Sequence, residues 1–217
     1  MNFFKVKESK IKYTEIPQDG SLYTAAMDKE YSKLAKYYDH IMTPIWKMWL
    51  KKVVPFIEGS KVLEVSFGTG YLMTQYAKRF DTYGIDINDE MIRIAIRKLD
   101  TDGSSASVTK GNVENLPFVN NTFNTVINTM AFTGYPDGEL ALTEMKRVLR
   151  KNGKLLLMDF DYPADRNIFG YSLVKIGEMY GDIMKDLKGY LQKSGLEYRE
   201  TYVGGFGSVY LFVCTKV

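Results

Sequence analysis

The sequence predicts an α/β fold: a doubly wound, mostly parallel sheet of seven strands with the last strand antiparallel, plus N-terminal helices. Three observations predict it. From Lys61 onward, short aliphatic runs alternate with segments of helical period, and alternating β and α units give a parallel sheet with helices on both faces. A glycine turn, Ser66-Phe-Gly-Thr-Gly70, joins the first of these runs to the first of these helices. The last two runs, about 197–203 and 208–215, are separated only by a turn holding Gly204, Gly205 and Gly207, so they pair antiparallel.

The elements follow in order. Residues 1 to about 26 are polar, with Pro17 and Gly20 as breakers, and read as an irregular arm or flap. Tyr31, Leu34, Ala35 and Tyr38 have helical spacing across 28–39. Thr43-Pro44 is a helix start, with Thr as the cap and Pro at the first helical position. That helix carries Trp46, Trp49, Val53 and Val54, and it ends near Pro55 to Gly59.

Strands are then predicted at 61–65, 82–87, 105–110, 122–128 and 154–160. Between them lie helices at 69–80, 88–99 (capped by Asn88) and 137–150. Residues 163–193 read as mainly helical, broken near Gly181. Residues 1–57 thus form an arm with capping helices, and 58–217 the ligand-binding domain.

Composition narrows the function. The chain has 217 residues, is 45% hydrophobic and 25% charged, and carries a formal charge of +3. That charge is too small and too scattered to argue for nucleic acid. The longest apolar runs are strand-sized, so no integral membrane segment is expected, and the N-terminus lacks the apolar core of a signal peptide. Cys214 is the only cysteine and His40 the only histidine. No disulfide framework, cysteine-based metal site or two-histidine zinc site is available, so no metal is expected, and the location expected is cytoplasmic.

What remains is binding or cofactor-driven chemistry. A GxG after a strand lets backbone approach a ligand closely, but alone it is a weak signal. Here further features follow in order. The strand Tyr83-Gly-Ile-Asp-Ile87 ends in an acid, Asp86, one β-α-β step after Glu64, where a carboxylate can accept both hydroxyls of a ribose. Lys110-Gly-Asn-Val-Glu-Asn-Leu-Pro-Phe118 follows the third strand and can place the Asn112 amide and the Val113 N–H beside an adenine. Arg147-Val-Leu-Arg-Lys-Asn-Gly153 links the fourth helix to the fifth strand.

With these motifs the chain resembles the class I S-adenosylmethionine-dependent methyltransferases. Within them it is similar to the broad type 11 group, which includes ubiquinone/menaquinone C-methyltransferases and small bacterial phospholipid N-methyltransferases. The motifs cover roughly 60–160, and the topology extends the likeness to the C-terminus. The resemblance implies a Rossmann-like fold, S-adenosylmethionine as cofactor and S-adenosylhomocysteine as product.

It also implies roles. Glu64 would order the loop of Ser66, Phe67, Gly68, Thr69 and Gly70 under the methionine and ribose. Asp86 would bind the ribose, Ile87 would pack on the adenine, and Asn112 with Val113 would meet the adenine edge. Asn128 and Thr129 would lie near the sulfonium. Tyr38 would cap the pocket, since Tyr38-Asp39 with Trp46 and Trp49 resembles a pattern found before the first motif in the quinone methyltransferases.

Two departures stand out. Ser66 occupies the family's first glycine, and Asn152 replaces the usual proline of the turn before the fifth strand. If the first position needs φ > 0, serine there bears on binding. A non-catalytic S-adenosylmethionine-binding module is therefore an alternative. A nicotinamide-dependent oxidoreductase is another, disfavoured because Met73 stands where GxGxxG needs glycine.

Methyl transfer from a sulfonium is displacement at an activated carbon, so orientation and exclusion of water matter most. Candidate bases are His40, Asp159 and Asp161, the two aspartates lying near the C-terminal end of the fifth strand. The aromatic and Met-rich helices around Tyr31 to Trp49, and the insert holding Phe169, Tyr171, Met179 and Tyr180, are the expected substrate walls. They suit a small-molecule or lipid-like acceptor methylated on N, O or C. Whether the chain is a monomer or a homodimer stays open.

Overall fold

The computed structural model describes residues 10–15, 43–179 and 183–217. Eight strands form one sheet, named here in chain order: β1 Ile11–Glu15, β2 Lys61–Val65, β3 Asp81–Asp86, β4 Ala106–Lys110, β5 Phe123–Thr129, β6 Leu149–Phe160, β7 Glu197–Gly204 and β8 Val209–Thr215. Among the described residues, six α-helices flank it: α1 Thr43–Leu50, α2 Tyr71–Tyr76, α3 Asp89–Asp102, α4 Gly138–Val148, α5 Ile168–Met179 and α6 Leu187–Ser194. The strand order is β1-β4-β3-β2-β5-β6-β8-β7. All pairings are parallel except those of β8 with β6 and with β7.

The sheet has eight strands among the described residues, not seven. The extra one, β1, lies inside the stretch read as an irregular arm. It pairs with β4 in register from Ile11 opposite Ala106 to Glu15 opposite Lys110. The Glu15 carboxylate meets the Lys110 ammonium at 3.3 Å. Four of its five residues are exposed, so no alternation marks it as a strand. The predicted helix over 28–39 and the break near Gly181 lie outside the described residues.

Strand alternation distributes the core over both faces. Val62, Leu156 and Met158 pack with Val53, Leu72, Met73, Ile92 and Leu99 beneath α1, α2 and α3. Leu63, Leu155 and Leu157 pack with Leu142, Met145 and Leu191 beneath α4 and α6. The helices begin where the sequence provides caps. Asn88 Oδ1 accepts from Met91 N at 2.9 Å, and Asp137 Oδ1 accepts from Leu140 N at 2.9 Å. The helix from Thr43 gives way at Lys51–Phe56 to a tighter 3₁₀ turn containing Pro55.

α2 is shorter than predicted, and its start depends on Gly70. That residue has φ +71°, and a Cβ there would sit 2.8 Å from Ala95 Cβ on α3. Gly70→Ala is therefore expected to destabilise the fold by about 2–3 kcal/mol, combining left-handed strain with overpacking. Urea unfolding checks this.

Strand order reverses direction between β2 and β5. In a parallel sheet, ligands bind outside the C-terminal strand ends at such a switch point.

Candidate active site

A cleft lies at that switch point. The loops after β2, β3, β4 and β5 converge on it, and Trp46 and Leu50 of α1 with Tyr71 of α2 close one side. Its empty space is about 1220 Å³, open solvent at the mouth included. Of the charged residues among the described positions, only Glu64 and Asp86 line it.

Asp86, at the end of β3, is buried. Its Oδ2 accepts from Gly68 N at 2.7 Å and its Oδ1 from Asn88 N at 2.9 Å. The carboxylate is thus locked to the glycine loop while it faces the cleft. A Cβ added at Gly68 would meet nothing within 4 Å, so open space lies over the loop there. Ile87, Met91 and Val113 give the same end of the cleft an apolar lining. Asn112 lines it too, with Oδ1 accepting from Glu114 N at 3.0 Å to cap the short turn Val113–Asn115. A diol acceptor beside apolar walls fits the ribose and adenine of S-adenosylmethionine.

Glu64 lines the cleft from the last-but-one position of β2 and is buried. Its Oε2 accepts from the Tyr76 hydroxyl at 2.8 Å, which ties β2 to α2. Burial raises its pKa to about 8, helped by the nearby Asp86 carboxylate and opposed by the Tyr76 hydrogen bond.

Ser66 has φ +53°, so the first-glycine position does require the left-handed region. Its N–H donates to Ile85 O at 2.7 Å, and its Oγ lies 2.8 Å from the Tyr135 hydroxyl. Just after the neighbouring strand β5, Met130 has φ +55° and donates its N–H to Met158 O at 2.7 Å. Two non-glycine residues thus hold strained backbone just after the adjacent strands β2 and β5, as functional clefts often do.

The candidate residues divide. Glu64, Ser66, Phe67, Gly68, Thr69, Asp86, Ile87, Asn112, Val113 and Thr129 line the cleft. Gly70 instead packs against α3, and Asn128 is fully buried behind Tyr135. Tyr38 and His40 lie outside the described residues. Asp159 does not face the crevice, contrary to expectation. It is fully buried, and it accepts from Phe132 N at 2.6 Å, Thr133 N at 3.2 Å and Phe160 N at 2.7 Å, bracketing the turn after β5. Asp161 also lies outside the lining and accepts from Tyr162 N at 2.7 Å.

Among its described residues the insert does not line this cleft either, and Tyr180 lies outside the described residues. Gly170 on α5 packs against the Phe206 carbonyl of the β7–β8 turn, and Phe169 meets the Phe206 ring at 5.7 Å between centroids. Trp49 is core, its indole against Gly204, whereas Trp46 lines the cleft. Tyr135 was not anticipated. Its position in the loop after a central parallel strand is the one signal that marks it.

A reversed strand order, a cleft at the reversal, an acid at the end of β3 and an antiparallel β8 define a Rossmann-like methyltransferase fold. Within that class, the chain carries a member of the family described as "Methyltransferase domain", matched over residues 63–157. The family resemblance read from the motifs is the same, and S-adenosylmethionine is its cofactor. The chain is 33% identical over 159 residues to the ubiquinone/menaquinone biosynthesis C-methyltransferase of Blochmanniella floridana, covering 67% of this chain and 61% of that protein. It is 31% identical over 159 residues to the protein of that name from Pasteurella multocida, covering 67% and 58%. The chain thus spans about three fifths of the length of these relatives.

Among solved structures, geranyl diphosphate C-methyltransferase from Streptomyces coelicolor superposes with a TM-score of 0.74 at 12% identity, over 92% of this chain and 99% of that one. An S-adenosylmethionine-dependent methyltransferase from Aquifex aeolicus gives 0.63 at 19% identity, over 88% and 98%. These two likenesses establish the fold alone.

Among the described residues, no helix is long and apolar enough to cross a membrane, and no group of side chains could hold a metal ion.

Proposed function

We propose that this protein transfers the methyl group of S-adenosylmethionine to a small, apolar, uncharged organic acceptor. The observation that carries this reading is the switch-point cleft, where Asp86 is locked to the glycine loop beside an apolar lining that contains no lysine or arginine among the described residues. When bound, the cofactor supplies an electrophilic methyl group that needs no further activation. The ribose hydroxyls would bond to Asp86, and the adenine would lie against Ile87, Met91 and Val113.

Trp46, Leu50, Met130 and Tyr135 would shape the acceptor space and keep water from the reacting carbon. Asp159 and Asp161 take no part, being committed elsewhere, so the reading rests on orientation and not on a base from the fifth-strand end. The relatives' names favour carbon as the methylated atom. The Streptomyces protein was solved with Mg2+ and a diphosphate. Among the described residues this cleft has no basic lining for such a group, which favours an acceptor without phosphates. The lone buried thiol of Cys214 fits a cytoplasmic location.

The test is S-adenosylhomocysteine release, followed by mass spectrometry, with a panel of phenolic and quinol-type acceptors beside tRNA. Release with a small apolar acceptor is the expected result. Stronger release with tRNA, or binding of NADH in place of S-adenosylmethionine, would overturn the reading.

A further inference from the structure

We propose that Ser66 is a ligand-binding hydroxyl that donates to the carboxylate of the cofactor's amino-acid end, aimed there by a directed hydrogen-bond chain from Asn128 through Tyr135. This deepens the functional reading above and rests on it.

The chain begins in the core. Asn128 is fully buried at the end of β5, and its Nδ2 donates to the Tyr135 hydroxyl oxygen at 2.5 Å. Its Oδ1 has no partner. Turning the amide over would leave both of its N–H groups unpartnered, and buried orphan N–H groups are rarer than under-satisfied carbonyl oxygens. The amide therefore sets the direction. Tyr135 accepts from Asn128, so its own proton goes to the hydroxyl within reach, Ser66 Oγ at 2.8 Å. Ser66 then accepts from Tyr135 and has its own proton left to donate. Ser66 is half-buried and lines the cleft, so that proton is available to a ligand.

Two features say what it meets. With the adenosine placed over the ends of β3 and β4, the remainder of the cofactor lies over the ends of β2 and β5, where Ser66 and Tyr135 sit. Among the described residues, the charged ones that line the cleft are both acids, so a carboxylate entering it meets no cation from them. It has to be held by neutral donors, and a hydroxyl polarised by two upstream bonds is a good one. This also accounts for serine at a left-handed position that glycine would occupy without strain.

Calorimetric titrations of S-adenosylhomocysteine and of 5′-methylthioadenosine, which lacks the amino-acid end, test this on wild type and Ser66→Gly. Glycine suits φ +53°, so the variant keeps the fold, and its unfolding midpoint is measured alongside. The expected result is a loss of S-adenosylhomocysteine affinity of about 10- to 100-fold with 5′-methylthioadenosine unchanged. Tyr135→Phe is expected to lower the same affinity by a smaller factor, again sparing 5′-methylthioadenosine. No loss for S-adenosylhomocysteine in Ser66→Gly, or equal losses for both compounds, overturns the proposal and leaves the cofactor reading standing. A wild type that binds neither compound overturns both.

Discussion

Replacing Asp86 with alanine is expected to cost about 3–6 kcal/mol of S-adenosylhomocysteine affinity, the largest effect at any position in the cleft. The figure follows from two charge-assisted hydrogen bonds to ribose hydroxyls at about 1.5–3 kcal/mol each. The substitution also frees Gly68 N and Asn88 N, which the carboxylate holds at 2.7 and 2.9 Å. Asp86→Asn separates the two contributions. Its amide oxygen can still accept from one of these N–H groups, but the charge and half of the acceptor capacity are gone. Calorimetry on both variants, with circular dichroism to establish folding, checks the effect. A folded Asp86→Ala protein with wild-type affinity would remove Asp86 from the ribose site.

The second large effect is a pH dependence of stability that Glu64 imposes. Its folded pKa of about 8 lies well above the ordinary 4.5, because burial disfavours the ionised form more than the Tyr76 hydrogen bond favours it. Between those two values the folded chain holds a proton that the unfolded chain has released. Stability therefore falls as pH rises through this window, by up to about 1.4 kcal/mol per unit, and levels off above it. Glu64→Gln keeps an oxygen that can accept from the Tyr76 hydroxyl but has nothing to ionise. It is expected to match wild type near pH 4.5, to be the more stable of the two by several kcal/mol above pH 8, and to lose this slope. Urea unfolding from pH 4.5 to 9 measures the difference. Parallel pH profiles for the two proteins would mean that Glu64 is ionised throughout.

Much of the site was legible because it sits on strongly patterned segments. The run Lys61 to Val65 was found to the residue, and Asp86 followed from its place at a strand end one β-α-β step later. Asn88 caps its helix as its position before an apolar periodic stretch indicates, whereas Asp137, read as the first helical residue, is the cap of the helix that starts at Gly138. What was missed depends on partners distant in sequence. β1 is an exposed edge strand whose only described neighbour, β4, begins at Ala106, so nothing local distinguishes it from a polar arm. Tyr135 acquires meaning from Ser66, 69 residues earlier, and from Asn128 beneath it. Asp159 was correctly placed on a strand near the C-terminal edge of the sheet. Whether it faced the cleft or bracketed the next loop turned on the amides of Phe132 and Thr133, which a one-dimensional pattern does not locate. The apolar residues of α5 suggested a substrate wall by composition alone, yet Ile168, Phe169 and Met179 are exposed and lie away from the cleft.

The measurement closest to the central claim is a crystal structure of the protein grown with S-adenosylhomocysteine. The account predicts the ligand at the switch point between β2 and β5, both ribose hydroxyls within hydrogen-bonding distance of the Asp86 carboxylate, and the adenine between Ile87 and Val113. Density for the ligand elsewhere, or a ribose that makes no contact with Asp86, would contradict it.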